Sequence, residues 1–269
     1  MAFWQEAEGR AEDEQRRLWR EHYAARHPTL FALHDGAFGA AEERLAEALP
    51  RFAEVASGAD ARFRSLRLPE IARSVESVIG LPVRGRVVAF VGTFGPMAWY
   101  DRVDGDHTAF FALEMLDDLA GNQVCAAHEL AHLTHFAHAG GDWPESCPGQ
   151  ELILEGVALN VVQRVVPHAP AELVFFTRDF PAFEAAVDAA WSWAIPELLA
   201  CFDTPDPEQT RRFFWPDWGR GTHDVPQFFG YLAGERVVRE LLREHELATI
   251  VSWSSERARA EARAVLEAA

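Results

Sequence analysis

The chain contains few cysteines and few positively charged residues. Its three cysteines, Cys125, Cys147 and Cys201, are odd in number and lack the spacing of a metal-binding motif. This pattern excludes a disulfide framework and indicates a reducing compartment. All 25 basic residues are arginine, against 42 acidic residues, so the net charge is −17. Such a charge disfavours nucleic acid as a partner and favours a neutral or basic peptide or protein substrate.

The chain also lacks a long hydrophobic segment. Its longest largely apolar run, from Val87 to Tyr100, has 14 residues and contains glycine and proline, which is too short for a membrane span. The N-terminal residues carry acids where a secretory signal peptide needs positive charge followed by an apolar stretch. We therefore expect no membrane association and a cytoplasmic location.

The most informative pattern is His128-Glu129-Leu130-Ala131-His132. The surrounding segment 118–133 has no proline and is rich in alanine and leucine, which predicts a helix. On a helix, positions four apart share one face, so both imidazoles can bind one zinc ion. Glu129 would then act as the general base of a zinc hydrolase. Without a metal, the same histidines would form a solvated polar stripe.

Two downstream residues are candidates for the third metal ligand, and the first is His138. It lies where metzincins place their third histidine, but His135 replaces the glycine that turns the chain in that pattern. All three methionines precede the pentapeptide, so no methionine turn can follow it. His135 fits a substrate contact or, more simply, a solvated histidine at the end of the helix.

Glu155 is the second candidate, 23 positions beyond His132. Glycines and prolines in 139–149 end the first helix, and a second helix is predicted after them. Two antiparallel helices would bring Glu155 opposite the histidines, with the small Gly156 and Ala158 allowing close approach. Apolar neighbours make an unpaired carboxylate costly there and a metal-bound one acceptable. The pattern therefore favours a zinc site made by the two histidines and this glutamate.

The pentapeptide is one of three motifs that occur together. The others are Ile153-Leu154-Glu155-Gly156-Val157-Ala158 and Gly230-Tyr231-Leu232-Ala233-Gly234-Glu235. Over roughly residues 85–250 the chain thereby resembles the YjaZ-like predicted zinc-dependent proteases, a domain-of-unknown-function family of gluzincin type. The resemblance implies an α+β fold, mainly helical, with a small sheet packed beside the pentapeptide helix. It also implies a zinc peptidase whose metal ligands are His128, His132 and Glu155.

The chain departs from the family pattern at Leu159. The family often carries an acid at this position, four residues after its ligand glutamate. Support for the metal ligands would then have to come from another group, for which Glu151, Asn160 and Asp142 are candidates.

Helical spacing dominates the N-terminal part of the chain. We expect a helical region over residues 1–82, with breaks at Pro28, Gly58 and Pro82. A zincin-like catalytic region is expected over residues 83–269, joined to the first in one continuous unit.

Two buried strands are predicted at 86–94 and 108–115. By resemblance, residues 109–113 would form an edge strand that pairs with an extended substrate backbone. Downstream, we expect helices at 171–201, 225–242 and 254–269, and a loop at 203–221. The phenylalanines and tryptophans of 171–201 fit core packing better than a ligand-binding aromatic cage.

The predicted site has the chemistry of a zinc peptidase. Zinc lowers the pKa of its water from about 15.7 toward about 7, Glu129 accepts the proton, and the hydroxide attacks a peptide carbonyl. The resulting oxyanion needs a second donor, for which Tyr231 is the first candidate and His223 the second. The alternative is a non-catalytic zinc-containing binding or regulatory protein that keeps the fold.

Overall fold

The chain is mainly helical and contains a small mixed sheet. In this computed structural model the described residues are 2–140, 143, 147–215 and 224–268. Helices occupy most of them, and three short strands pair into one sheet, which confirms the α+β class. None of the described helices is long and apolar enough to cross a membrane.

The α-helices recur from the N-terminus to the end of the described chain. They are α1 (Ala2–Ala7), α2 (Glu12–His22), α3 (Pro28–Phe38), α4 (Leu45–Ala48), α5 (Phe52–Ser65), α6 (Leu68–Ile79), α7 (Leu119–His138), α8 (Pro148–Val165), α9 (Ala171–Val174), α10 (Phe180–Ala200), α11 (Pro207–Phe214), α12 (Phe229–Leu241), α13 (Leu247–Val251) and α14 (Ser255–Ala268). The predicted break at Gly58 is wrong, since this residue lies inside α5. A glycine inside a helix costs only about 1 kcal/mol, which burial of Phe52 and Val55 on the same helix can offset.

The chain divides into two compact units. The first comprises the chain up to Leu68 together with Gly85–Cys125, and the second comprises Pro69–Arg84 together with the chain from Ala126 onward. The first unit holds the sheet, and the second holds the residues of the pentapeptide.

The sheet consists of β1 (Arg86–Phe90), β2 (Ala98–Val103) and β3 (Asp106–Ala112), in the order β1-β3-β2. β3 pairs in parallel with β1, where Val88 opposes Phe110, and antiparallel with β2, where Trp99 opposes Phe110. The edge strand predicted at 109–113 is therefore wrong, because β3 is the central strand. Its backbone groups are used on both sides, so it cannot add a substrate strand.

α8 is the buried centre of the second unit. Every residue from Leu152 to Val162 is buried, and α8 packs most extensively against α12. A Cβ on Gly156 would overlap the Gly234 carbonyl, and a Cβ on Gly234 would overlap the Leu152 carbonyl. Gly156 thus permits the approach of α12, and the prediction that it serves the approach of the histidine helix is wrong.

α11 lies in the segment 203–221, which was predicted to be a loop. Asp206 accepts hydrogen bonds from two backbone amides at the start of this helix, and Pro207 occupies its first turn. These capping signals outweigh the loop-like composition. α12 is also shorter than predicted, because it begins at Phe229 instead of Val225.

Candidate metal centre

α7 carries His128 and His132 on one buried face. The helix begins after Asp118, whose side chain accepts a hydrogen bond of 2.6 Å from the Gly121 amide and so caps the first turn. Both imidazoles are buried, with 4% and 7% of their residue surface exposed. Because the two positions are four apart, the rings point the same way, and their Nε2 atoms lie 2.9 Å apart.

The start of α8 is fixed by side-chain capping. The Gln150 side chain accepts a hydrogen bond of 3.1 Å from the Cys147 amide and donates one of 2.6 Å to the Ser255 hydroxyl. Pro148 occupies the first turn, where its missing N–H is not needed. This anchoring sets the position of α8 and, one and a half turns later, of Glu155.

Glu155 converges with both histidines. Its Oε2 lies 3.1 Å from the Nε2 of His128, and its Oε1 lies 3.6 Å from the Nε2 of His132. The three ligand atoms fall within 4.8 Å of one another, and all three residues are buried. In the part of the chain that the structure describes, no other group of His, Cys, Asp and Glu side chains meets in this way.

Several buried polar atoms at this site lack hydrogen bonds, and their arrangement suits the binding of a cation. Glu155 Oε2 makes no hydrogen bond despite its closeness to His128, and the buried Glu129 Oε2 and His128 Nδ1 have none among the described residues. A buried carboxylate oxygen without a donor is costly unless a cation pairs with it. Two imidazole nitrogens and one carboxylate form the donor set of several catalytic zinc sites. The residues therefore fit a divalent metal.

Burial shifts the pKa values of the histidines and of the glutamates in opposite directions. It lowers the pKa of His128 and of His132 to about 4, so both rings are neutral and can offer a lone pair to a metal near pH 7. Burial raises the pKa of Glu155. Burial, together with the nearby Glu155 carboxylate, raises the pKa of Glu129 well above its ordinary value. A carboxyl group whose pKa is raised is suited to proton transfer near neutral pH.

Tyr231 belongs to the same site. It lies in the first turn of α12, and its hydroxyl donates a hydrogen bond to the Glu155 carboxylate. Its ring is parallel to that of His128, with the centroids 6.2 Å apart. Desolvation and the charge of Glu155 raise the pKa of Tyr231 well above its ordinary value, so the hydroxyl keeps its proton. His223, the second candidate donor, lies outside the described residues.

The structure separates the other two histidines of α7 from the metal cluster. The Nε2 of His138 lies 2.8 Å from the Pro82 carbonyl oxygen, to which it donates a hydrogen bond. His135 is fully buried, so the predicted solvated histidine is wrong. Both ring nitrogens of His135 lack a hydrogen bond within the described residues, and its ring meets Trp143 edge-on at 4.9 Å. Burial lowers the pKa of His135 to about 3.

Asn160, one candidate support for the metal ligands, has a different role. Its amide group donates hydrogen bonds of 2.9 Å to the Gly156 carbonyl and 3.1 Å to the Glu235 carbonyl. The second of these bonds ties α8 to α12. Leu159 is fully buried, and Asp142 lies outside the described residues.

Two phenylalanines that sequence reasoning did not place in the site lie beside it. The Phe176 ring centroid is 5.5 Å from that of His128 and 5.9 Å from that of Tyr231, and the Phe228 centroid is 5.3 Å from that of Tyr231. Phe176 is 39% exposed, so its predicted role in the core is wrong. Each residue follows or precedes another phenylalanine, and composition carries no signal of which ring turns toward the site.

The family resemblance rests on the three sequence motifs alone. No protein-family model, no curated protein and no solved structure matches the chain. The gluzincin identity and the activity that it implies therefore stay predictions.

Proposed function

We propose that the chain is a zinc-dependent peptidase. The observation that carries the proposal is the buried convergence of His128, His132 and Glu155, with the adjacent Glu129 also buried and its Oε2 without a hydrogen bond among the described residues. Structural zinc sites are usually closed by four protein ligands, whereas catalytic sites have three and leave a position for water or substrate. A three-residue set beside an acid–base group supports a catalytic role.

Each group of the site would have a separate role in the hydrolysis of a peptide bond. Bound zinc would polarise the substrate carbonyl and lower the pKa of water. Glu129 accepts a proton from the attacking water and passes it to the leaving amine nitrogen. Burial raises the pKa of Glu129, which makes its carboxylate a stronger base for the first of these transfers. Tyr231 donates a hydrogen bond to the oxygen on which negative charge develops.

The substrate class follows from the charge of the chain. A net charge of −17 repels acidic polymers over long distances and attracts neutral or basic peptides. Peptides and proteins of this kind are the proposed substrates.

Metal analysis of ligand variants tests the centre. The wild-type chain, loaded with zinc and freed of excess ion, is expected to hold one ion per chain by elemental mass spectrometry. His132→Ala and Glu155→Ala each leave only two of the three ligands, so each is expected to retain far less zinc at micromolar protein concentration.

His138→Ala is the matched control, because this imidazole lies on the same helix but bonds to the Pro82 carbonyl. It is expected to hold as much zinc as the wild type. Zinc lost by His138→Ala and kept by Glu155→Ala would show that the third ligand is wrongly assigned. A wild type that holds its zinc but cleaves no peptide of a broad library would instead be the non-catalytic binding protein.

Removing only the hydroxyl of Tyr231 tests its role as an oxyanion donor. Tyr231→Phe is expected to lower kcat about 100-fold with little change in KM or in zinc content, because the loss of one such donor costs about 10²–10³ in rate. Steady-state kinetics and metal analysis check this, with Tyr100→Phe of the sheet as control. A fall in zinc content that matched the fall in kcat would show that the hydroxyl acts only by positioning Glu155.

A further inference from the structure

Three aromatic rings form a continuous wall next to His128. Phe176 meets His128 edge-on, with an interplanar angle of 86°, and meets Tyr231 at 87°. Phe228 meets Tyr231 at 79°, and the centroids of Phe176 and Phe228 lie 6.3 Å apart. Phe176 thus both meets the ring of His128 and is exposed, since 39% of it is accessible to solvent.

The backbone at both phenylalanines is held in an unfavourable conformation. Phe176 has φ 53° and Phe228 has φ 60°, in the left-handed region that bulky residues rarely adopt. Each is one of a consecutive pair whose other ring, Phe175 or Phe229, is buried in the core. Non-glycine residues in this region cluster at functional sites, where the surrounding structure maintains the strain. Phe176 and Phe228 are therefore turned out toward the site at a cost in stability.

The exposed ring of Phe176 determines what can bind against this wall. A large apolar side chain would cover the 39% of Phe176 that is exposed, and both surfaces would lose water.

We propose that Phe176, Phe228 and Tyr231 form the subsite that selects a large apolar or aromatic side chain at a residue flanking the scissile bond. This inference rests on the proposed peptidase function. Phe176 is the specificity-determining residue, because it is the exposed member of the wall and touches the ring of a metal ligand.

Cleavage of a peptide library by the zinc-loaded chain gives the first test. Cleaved peptides are expected to share phenylalanine, leucine or a similar residue at one position next to the cut. Phe176→Ala is expected to lower kcat/KM about tenfold for the phenylalanine peptide and less than twofold for the same peptide with alanine there. Phe63→Ala is the matched control, because Phe63 is 41% exposed and lies on α5 in the other unit.

Peptide binding gives a second test that needs no turnover. Calorimetry on the zinc-loaded Glu129→Gln variant is expected to show about tenfold tighter binding of the phenylalanine peptide than of the alanine peptide. Adding Phe176→Ala should erase this difference. Equal affinities, or a difference that survives Phe176→Ala, would overturn the subsite even if peptides are cleaved. Absence of cleavage by the wild type would overturn the peptidase, and the binding difference would still decide the subsite.

Phe176→Gly separates selection from packing. Glycine adopts a positive φ without strain, so this variant is expected to have an unchanged or higher Tm while losing the preference for phenylalanine peptides. A clear drop in Tm with the preference intact would show that the ring serves the fold and would overturn the proposal.

Discussion

Glu129→Gln is expected to lower kcat by roughly 10³-fold while leaving one zinc ion bound per chain. Glutamine has nearly the shape of glutamate, but its amide cannot accept and return a proton. Glu129 is not a member of the ligand cluster, so the histidines and Glu155 remain available to the metal. Single-turnover cleavage of a library-derived peptide, together with elemental analysis of the same samples, measures both quantities.

The matched control is Glu240→Gln, at an acid on α12 that pairs with Arg243 on the surface at 3.0 Å. This substitution makes the same chemical change and is expected to leave kcat and zinc content unaltered. Cleavage that persists in Glu129→Gln would rule out Glu129 as the general base. Loss of zinc from Glu129→Gln would show that this side chain helps to hold the centre instead.

Gly234→Ala is expected to destabilise the protein by about 3 kcal/mol, near the upper end for overpacking substitutions. The added Cβ would overlap the Leu152 carbonyl, which belongs to a buried backbone and cannot move aside as a flexible side chain can. The two helices would have to separate, and Tyr231 lies one turn before Gly234 on α12. Urea denaturation monitored by circular dichroism measures the change in the free energy of unfolding.

Gly36→Ala makes the same substitution in α3, where nothing lies within 4 Å of the added Cβ. Alanine favours helix over glycine, so this control is expected to stabilise the protein by about 0.5–1 kcal/mol. The two glycines should therefore give changes of opposite sign. A Gly234→Ala variant as stable as the wild type would show that α8 and α12 do not cross as closely as described.

Local spacing is enough to predict the half of the site that one helix carries. His128 and His132 are four positions apart, and the periodicity of α7 settles their common face. The candidate third ligand could not be predicted from spacing alone. Glu155 lies on another helix, and spacing did not decide between it and His138. The glycines and prolines of 139–149 and the second motif favoured Glu155, and the structure places its Oε2 3.1 Å from the Nε2 of His128.

The features that could not be predicted from the sequence depend on contacts between distant parts of the chain or on an unusual backbone conformation. β2 lies partly within an apolar run interrupted by glycine and proline, and it went unpredicted because its pairing with β3 stabilises it. The strand order places β3 between its neighbours, which depends on contacts between distant residues and not on composition. The outward turn of Phe176 likewise depends on a backbone conformation that its side chain disfavours.

Every residue of α8 from Leu152 to Val162 is buried, so the Glu155 carboxylate is carried by a segment with no water-facing side. A helix without a water-facing side cannot open by fraying of one turn, because its neighbours must first part. Displacement of the Glu155 backbone from a bound ion would then require α8 to separate from its neighbours. We therefore expect a bound ion to exchange with solution more slowly than its affinity alone would suggest.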